Sequence, residues 1–171
     1  GEIVFQVTSD SNLPRASVNS VRTSDHTSNG LPLSVILCTY NRSSLLQIAL
    51  TSLVEQTLAK DNFEVIIIDD GSSDGTREVA QSFFDRLPLR YFYHKNSGLA
   101  SGQNHGVYVA KGRILFFFDD DDMATPILLE EHLRTHEKYP EDCYAVLDGQ
   151  TAPRPDFSLE VFRNADSDSR A

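Results

Sequence analysis

The sequence predicts an open, mostly parallel α/β sheet flanked by helices, and three observations carry that prediction. Apolar runs rich in strand formers recur along the chain and are continuous, not alternating, as in strands buried on both faces. The segments between them carry apolar residues at helical spacing. Strand and helix then alternate repeatedly, and right-handed crossovers turn such an alternation into a parallel sheet.

The first strand is expected at 33–38, Leu-Ser-Val-Ile-Leu-Cys, and a helix follows from the stripe Leu46, Ala49, Leu50, Leu53 and Val54. The second strand is expected at 63–68, followed by a helix carrying Val79, Ala80, Phe83 and Phe84 and closed by Pro88. A weaker strand at 89–93 leads to a helix over 99–110, with Ser97 as cap and Gly112 as terminator. A strong strand at 113–118 precedes a helix begun by Thr125-Pro126, bearing Leu128, Leu129 and Leu133 and ending before Pro140. A fifth strand is expected at 143–147.

The ends read differently. Residues 1–30 are rich in Ser, Thr, Asn and Asp after a short alternating stretch and are expected to be a mobile linker. Residues 31–161 form the expected domain and 162–171 a disordered tail. The chain begins with Gly, which suggests a processed, tagged or partial product.

Composition narrows the function classes. The chain has 171 residues, 40% apolar and 23% charged, which suits one soluble domain with a core. Twenty-five acidic against fifteen basic side chains give a formal charge of −10, so no nucleic-acid partner is expected. No run is long enough to span a bilayer, so no transmembrane segment is expected. Cys38 and Cys143 lie in apolar runs and read as reduced core residues, which fits a cytoplasmic setting.

In such sheets ligands bind beyond the carboxyl ends of the strands, where strand order reverses. The first strand delivers Thr39-Tyr40-Asn41-Arg42 to that edge, and the second delivers Asp69-Asp70-Gly71-Ser72-Ser73-Asp74-Gly75. The strand at 113–118 delivers Asp119-Asp120-Asp121-Asp122. Parallel topology puts both acidic clusters on one side. Adjacent carboxylates repel, nothing basic follows them closely, and hard oxygens select Mg²⁺, Mn²⁺ or Ca²⁺ over zinc. Strand geometry would project Asp119 and Asp121 to the same side.

A solvated acidic turn explains the same residues without a ligand. Ser72, Ser73 and Asp74 also suit a turn and helix cap, leaving Asp70 as the expected ligand. Tyr40 could stack on a base and Arg42 fork onto a phosphate, while Asn41 or Ser43 could simply cap the helix. Gly98, Gly102 and Gly106 recur at four-residue spacing; each costs about 1 kcal/mol in a helix interior, which points to close approach of a strand or a ligand.

Together these residues resemble the nucleotide-sugar-binding half of a family 2 glycosyltransferase of the GT-A fold. The resemblance rests on 33–42, on 65–76 with Asp69-Asp70-Gly71-Ser72, on Asn96-Ser97-Gly98 with Asn104-His105-Gly106, and on Phe118-Asp119-Asp120-Asp121-Asp122 with Pro126. It implies that Thr39, Tyr40 and Asp70 contact the nucleoside, with Arg42, Gly98 and Asn104 as further donor contacts. It also implies that Asp119-Asp120-Asp121 is the family's Asp-x-Asp motif, with Asp119 and Asp120 towards the ribose or sugar. Asp121, with Asp119, would hold Mn²⁺ or Mg²⁺. The implied reaction transfers a sugar from a nucleotide-diphospho-sugar to an acceptor with inversion. Cys38 stands where many relatives have Pro.

The family's catalytic base and acceptor-binding elements lie in a following segment that this sequence lacks, so no base is assigned. A truncated, non-catalytic donor-binding module is therefore the competing expectation. A phospho-acceptor receiver would need its acidic pair on the first strand and a Lys ending the last. Here the first ends Thr39-Tyr40 and the fifth Leu147-Asp148. A haloacid-dehalogenase-type phosphatase would need Asp-x-Asp-x-Thr or Val on the first strand, but Asp119 and Asp121 follow the fourth and Met123 fails the pattern.

Overall fold

The structure is a computed structural model that describes residues 6–7 and 30–139. The strands are β1 (Gln6–Val7), β2 (Leu33–Thr39), β3 (Phe63–Asp69), β4 (Leu89–Tyr93) and β5 (Ile114–Phe117). The helices are α1 (Ser43–Val54), α2 (Thr76–Gln81), α3 (Leu99–Val109) and α4 (Leu128–Lys138). The sheet order is β1-β4-β3-β2-β5 and every pairing is parallel. Gln6–Val7 thus enter the sheet from within the stretch read as linker. The remainder of that stretch, the strand expected at 143–147 and the tail at 162–171 lie outside the described residues.

The chain steps from β2 through α1 to β3 and through α2 to β4. It then returns through α3 to β5 on the far side of β2. Strand order therefore reverses between β2 and β5. Side chains divide by strand parity. Val35, Leu37, Val65 and Ile67 join the core under α1, α2 and α4, whereas Ile36, Ile66 and Ile68 face α3.

Burial tracks strand position. Every residue of β3, at the centre, is buried, as the continuous apolar run implies. The expectation of two buried faces fails at β5, where Leu115 is 37% and Phe117 47% exposed. β5 ends the order among the described residues, and α4 covers its other side through Leu128 and Leu129.

Helix termini also differ from expectation. α2 stops at Gln81, and the apolar stripe continues in tight turns that carry buried Phe83, with Phe84 N–H donating to Gln81 O at 3.2 Å. α4 starts at Leu128, after a turn in which Leu128 N–H donates to Thr125 O at 3.1 Å. Ser97 does not cap α3; Gly98 is its N-cap, with φ 88°. That conformation favours glycine.

α3 approaches the sheet closely because Gly102 and Gly106 have no side chains. A Cβ at Gly106 would meet Ile36 Cγ2 at 2.3 Å, and one at Gly102 would meet Cys38 Sγ at 3.1 Å. Strand packing thus explains Gly102 and Gly106, whereas a Cβ at Gly98 would meet nothing within 4 Å and its positive φ explains it. Below the helix end, buried Glu64 accepts hydrogen bonds from Ser34 Oγ (2.7 Å), Lys111 N–H (2.7 Å) and Arg90 Nη1 (3.0 Å). Arg90 also donates to Val109 O at 2.7 Å, a favourable place for a cation at a helix carboxyl end. This network clamps the amino ends of β2 and β3 to the far end of α3.

Gly112 closes the same corner. A Cβ there would meet Leu33 C and Ser34 N, both at 2.4 Å, and neither backbone atom can yield. Gly112→Ala is expected to lower unfolding free energy by about 1–3 kcal/mol. Gly102→Ala should be milder, because the Cys38 thiol can shift and Ala favours a helix by about 1 kcal/mol. Urea denaturation of both variants checks this ordering; equal effects would contradict it.

Candidate functional site

The carboxyl ends of β2 and β3 are joined into one double loop. Asp70 N–H donates to Thr39 O at 2.9 Å. Asn41, held at φ 53°, donates its N–H to Ser72 Oγ at 2.9 Å and accepts from Ser73 N–H through Oδ1 at 2.8 Å. Asn tolerates that left-handed conformation better than most residues. Asp74 accepts from Thr76 N–H (3.1 Å) and, across the gap, from Ser43 N–H (3.0 Å) at the start of α1. The expected turn and cap residues therefore serve two helices.

The neighbouring acids separate cleanly. Asp69 is buried on the α1 and α2 side, where it accepts from Ser72 N–H at 2.7 Å and from the Tyr91 hydroxyl. Asp70, the expected ligand, faces α3. It accepts from Ser97 N–H at 2.7 Å and from Gly98 N–H at 2.9 Å. These donors open α3, where the helix dipole favours a carboxylate. Oδ1 also faces Ser97 Oγ at 3.4 Å and His94 Nδ1 at 3.2 Å, whereas Oδ2, with Gly98 N–H alone, keeps a lone pair for a further donor.

His94 completes this corner and has no counterpart among the expected site residues. Its Nδ1 lies 3.2 Å from Asp70 Oδ1 and 3.0 Å from Lys95 O, two acceptors that favour a proton on that nitrogen. Its buried Nε2 has no hydrogen-bond partner among the described residues. The His105 ring stands 5.7 Å away, and burial, then the His94 charge, lowers the His105 pKa. The signal was present: asking what the strand at 89–93 delivers to the edge leads directly to His94. The register Asp69↔Tyr93 sets it beside Asp70.

The acids after β5 form a turn beyond the strand, with Asp122 N–H donating to Asp119 O at 3.2 Å. Asp119 and Asp121 are exposed and Asp120 is buried. Arg42 reaches across the switch point from 78 residues away in sequence. Its Nη1 lies 3.0 Å from Asp120 Oδ1 and 3.1 Å from Asp121 Oδ2. The Asp120 hydrogen bond and charge, then Asp121, raise the guanidinium pKa above its usual value. The basic partner missing nearby in sequence is thus supplied by the fold. The bridge joins Asp120 to Asp121, and Asp119 lies one residue outside it.

Cys38 lies between the two acidic groups. Burial, then the charges of Asp70, Asp120 and Asp119, push its thiol up to about 11, so it stays protonated. Tyr40 is 48% exposed, as a stacking residue requires, whereas Thr39 is buried and its hydroxyl lacks a described partner. Asn104 is exposed on α3, and its side chain makes no hydrogen bond to another described residue. The structure therefore gathers the Thr39–Arg42 loop, Asp70 with Gly98, and Asp119 to Asp121 at one edge.

Among the described residues no group of three or more His, Cys, Asp or Glu is arranged to hold a metal ion alone. The donor set nevertheless fits a hard cation: two carboxylates already share one cationic nitrogen. Mg²⁺ characteristically takes one or two carboxylates and completes its shell with substrate phosphates and water.

A parallel sheet whose strand order reverses between β2 and β5, with carboxylates beyond the strand ends, defines a doubly wound α/β domain. Residues 34–154 match the profile of glycosyl transferase family 2. The chain belongs to that family. It is 41% identical over 106 residues to validoxylamine A glucosyltransferase of Streptomyces hygroscopicus subsp. jinggangensis, covering 61% of this chain and 25% of that protein. The chain thus spans about a quarter of the length of that curated relative. Among solved structures, S. aureus TarS 1-349 in complex with UDP superposes with TM-score 0.63 and 27% identity over 72% of this chain and 38% of that one. Mannosyltransferase PcManGT from Pyrobaculum calidifontis, in complex with GDP-Man and Mn2+, gives TM-score 0.56 and 26% identity over 68% of this chain and 34% of that one. Among the described residues no helix is long and apolar enough to cross a membrane.

The double loop carries a pH signature. Its hydrogen bonds, Thr76 hydroxyl first, hold the Asp74 carboxyl at about 2, below its ordinary 3.8. A depressed folded pKa gives stability that is present above the ordinary value and lost as pH falls through the folded one. Asp74→Asn should therefore flatten the loss of stability between about pH 4 and pH 2. Urea midpoints across that range check it; a slope identical to wild type would show the carboxylate is not held.

Proposed function

We propose that this domain binds a nucleotide-diphospho-sugar with a divalent cation and serves sugar transfer to an acceptor with inversion. The observation that carries this reading is the convergence of three strand ends: Asp70 N–H donates to Thr39 O across the ends of β2 and β3, and Arg42 beyond β2 bridges Asp120 and Asp121 beyond β5. Family membership and a UDP-bound neighbour support it. A cation-bearing neighbour supports the metal.

Each residue has a chemical task. Asp70, oriented by two backbone N–H groups, offers the free lone pair of Oδ2 to a base N–H or sugar hydroxyl. Tyr40 presents an exposed ring for stacking. Thr39 and Gly98 shape the floor beside Asp70, and Asn104 offers an amide from the exposed side of α3. Asp119 and Asp120 face the ribose or sugar, and Asp121 with Asp119 would hold Mn²⁺ or Mg²⁺. That ion would neutralise charge developing on the leaving diphosphate. Arg42 supplies a planar guanidinium able to fork onto phosphate. None of the described residues is assigned as the base for the acceptor hydroxyl.

Calorimetry with UDP-, GDP- and dTDP-sugars, each with Mn²⁺, tests the reading, and absence of heat with every donor would end it. Tyr40→Ala removes an exposed ring and should leave the fold intact. It is expected to weaken donor binding by about 1–3 kcal/mol, the usual worth of stacking on a base. A radiolabelled donor assay on the same protein separates transfer from binding alone.

A further inference from the structure

We propose that Arg42 is a built-in competitor of the divalent cation, so that the metal binds well only when a diphosphate draws the guanidinium away. The inference rests on the donor-site reading above and concerns what this chain does before donor arrives.

Three observations lead to it. First, a single nitrogen, Arg42 Nη1, contacts Asp120 at 3.0 Å and Asp121 at 3.1 Å, so it takes up a bridging position between two anionic groups. A second cation on the same oxygens would meet repulsion from the first. Second, the Asp120 side chain is only 7% exposed. A buried carboxylate stripped of its partner is strongly destabilising, so Arg42 stays beside it until an ion on the neighbouring Asp121 and Asp119 offsets its charge. Third, the backbone that carries Arg42 is pinned on both sides. Asn41 is held by Ser72 and Ser73, and Ser43 N–H by Asp74. The side chain itself is half-exposed, held through its guanidinium. A fixed root with a free stem lets the guanidinium leave without disturbing the loop.

A diphosphate offers the displaced guanidinium a better seat, because planar forked donors match phosphate oxygens in pairs. Donor binding then frees Asp121 for the ion while supplying further oxygens to it. Donor and metal thereby favour one another, and by linkage the favour is mutual. If the bridge is closed in about nine molecules in ten, it weakens metal binding about tenfold.

The experiment titrates Mn²⁺ into the 171-residue chain and follows the free aquo-ion by electron paramagnetic resonance, first without nucleotide. Arg42→Ala and Arg42→Gln should bind Mn²⁺ about tenfold more tightly than wild type. Arg42→Lys, which keeps a cation, should remain close to wild type; a merely structural role for Arg42 would not produce that pattern. Circular dichroism confirms the fold of each variant, and having two neutral variants keeps the test available if one fails to fold. Mn²⁺ affinity in the neutral variants equal to or weaker than wild type overturns the proposal. Parallel titrations with UDP or GDP keep the two readings apart. Nucleotide-dependent Mn²⁺ uptake by wild type, without tighter uptake by the neutral variants, leaves the donor site standing and removes Arg42 as competitor. Failure of every protein to take up Mn²⁺ with either nucleotide overturns both.

Discussion

Negative charge gathered at one sheet edge must be given partners without filling the space a ligand needs. That constraint shapes the carboxyl side of this domain, where Asp69, Asp70, Asp74, Asp120 and Asp121 end up within a few loops of one another. Each is handled by a different means. Asp69 is turned into the core towards Tyr91 and Ser72. Asp70 is set against the first amides of α3, and Asp74 ties two helix starts together. Asp120 and Asp121 share Arg42. Coulomb repulsion among them is thus offset mostly by backbone N–H groups, which hold a carboxylate while leaving lone pairs free.

Packing on the opposite side of the sheet makes this possible. Asp70 meets α3 amides because α3 lies close to β2 and β3, and it lies close because Gly102 and Gly106 leave room for Cys38, Ile68 and Ile36. The Glu64 network then anchors the other end of the helix through Ser34, Arg90 and Lys111. A rigid helix held at both ends supplies two amides at fixed positions, which a loop would not do as dependably. The residues that look purely architectural are therefore what orient the Asp70 carboxylate.

Much of this was legible beforehand, and the gaps have physical causes. Apolar runs at 33–38 and 63–68 located β2 and β3 because their burial on both faces leaves a continuous signal. The same reading overstated β5, which among the described residues is an edge strand with one face open: an edge position is a property of strand order, and strand order is not written in a single run. The glycine spacing correctly announced a close approach but not its partner. His94 went unnoticed because its strand is short and half-buried, so its end attracted no attention.

By itself the sequence determined the succession of strands and helices and which strand ends carry carboxylates, because both depend on local periodicity and on the residues at a boundary. Only the tertiary structure decided how those carboxylates are partnered. Asp70 could have faced α1 and α2 and Asp69 the start of α3; side-chain parity in the assembled sheet chose between them. The acidic turn after β5 had no cation nearby in the chain, and the reversal of strand order beside β2 brought Arg42 to it. Charges find partners through space, and that space exists only after the strands have been put in order.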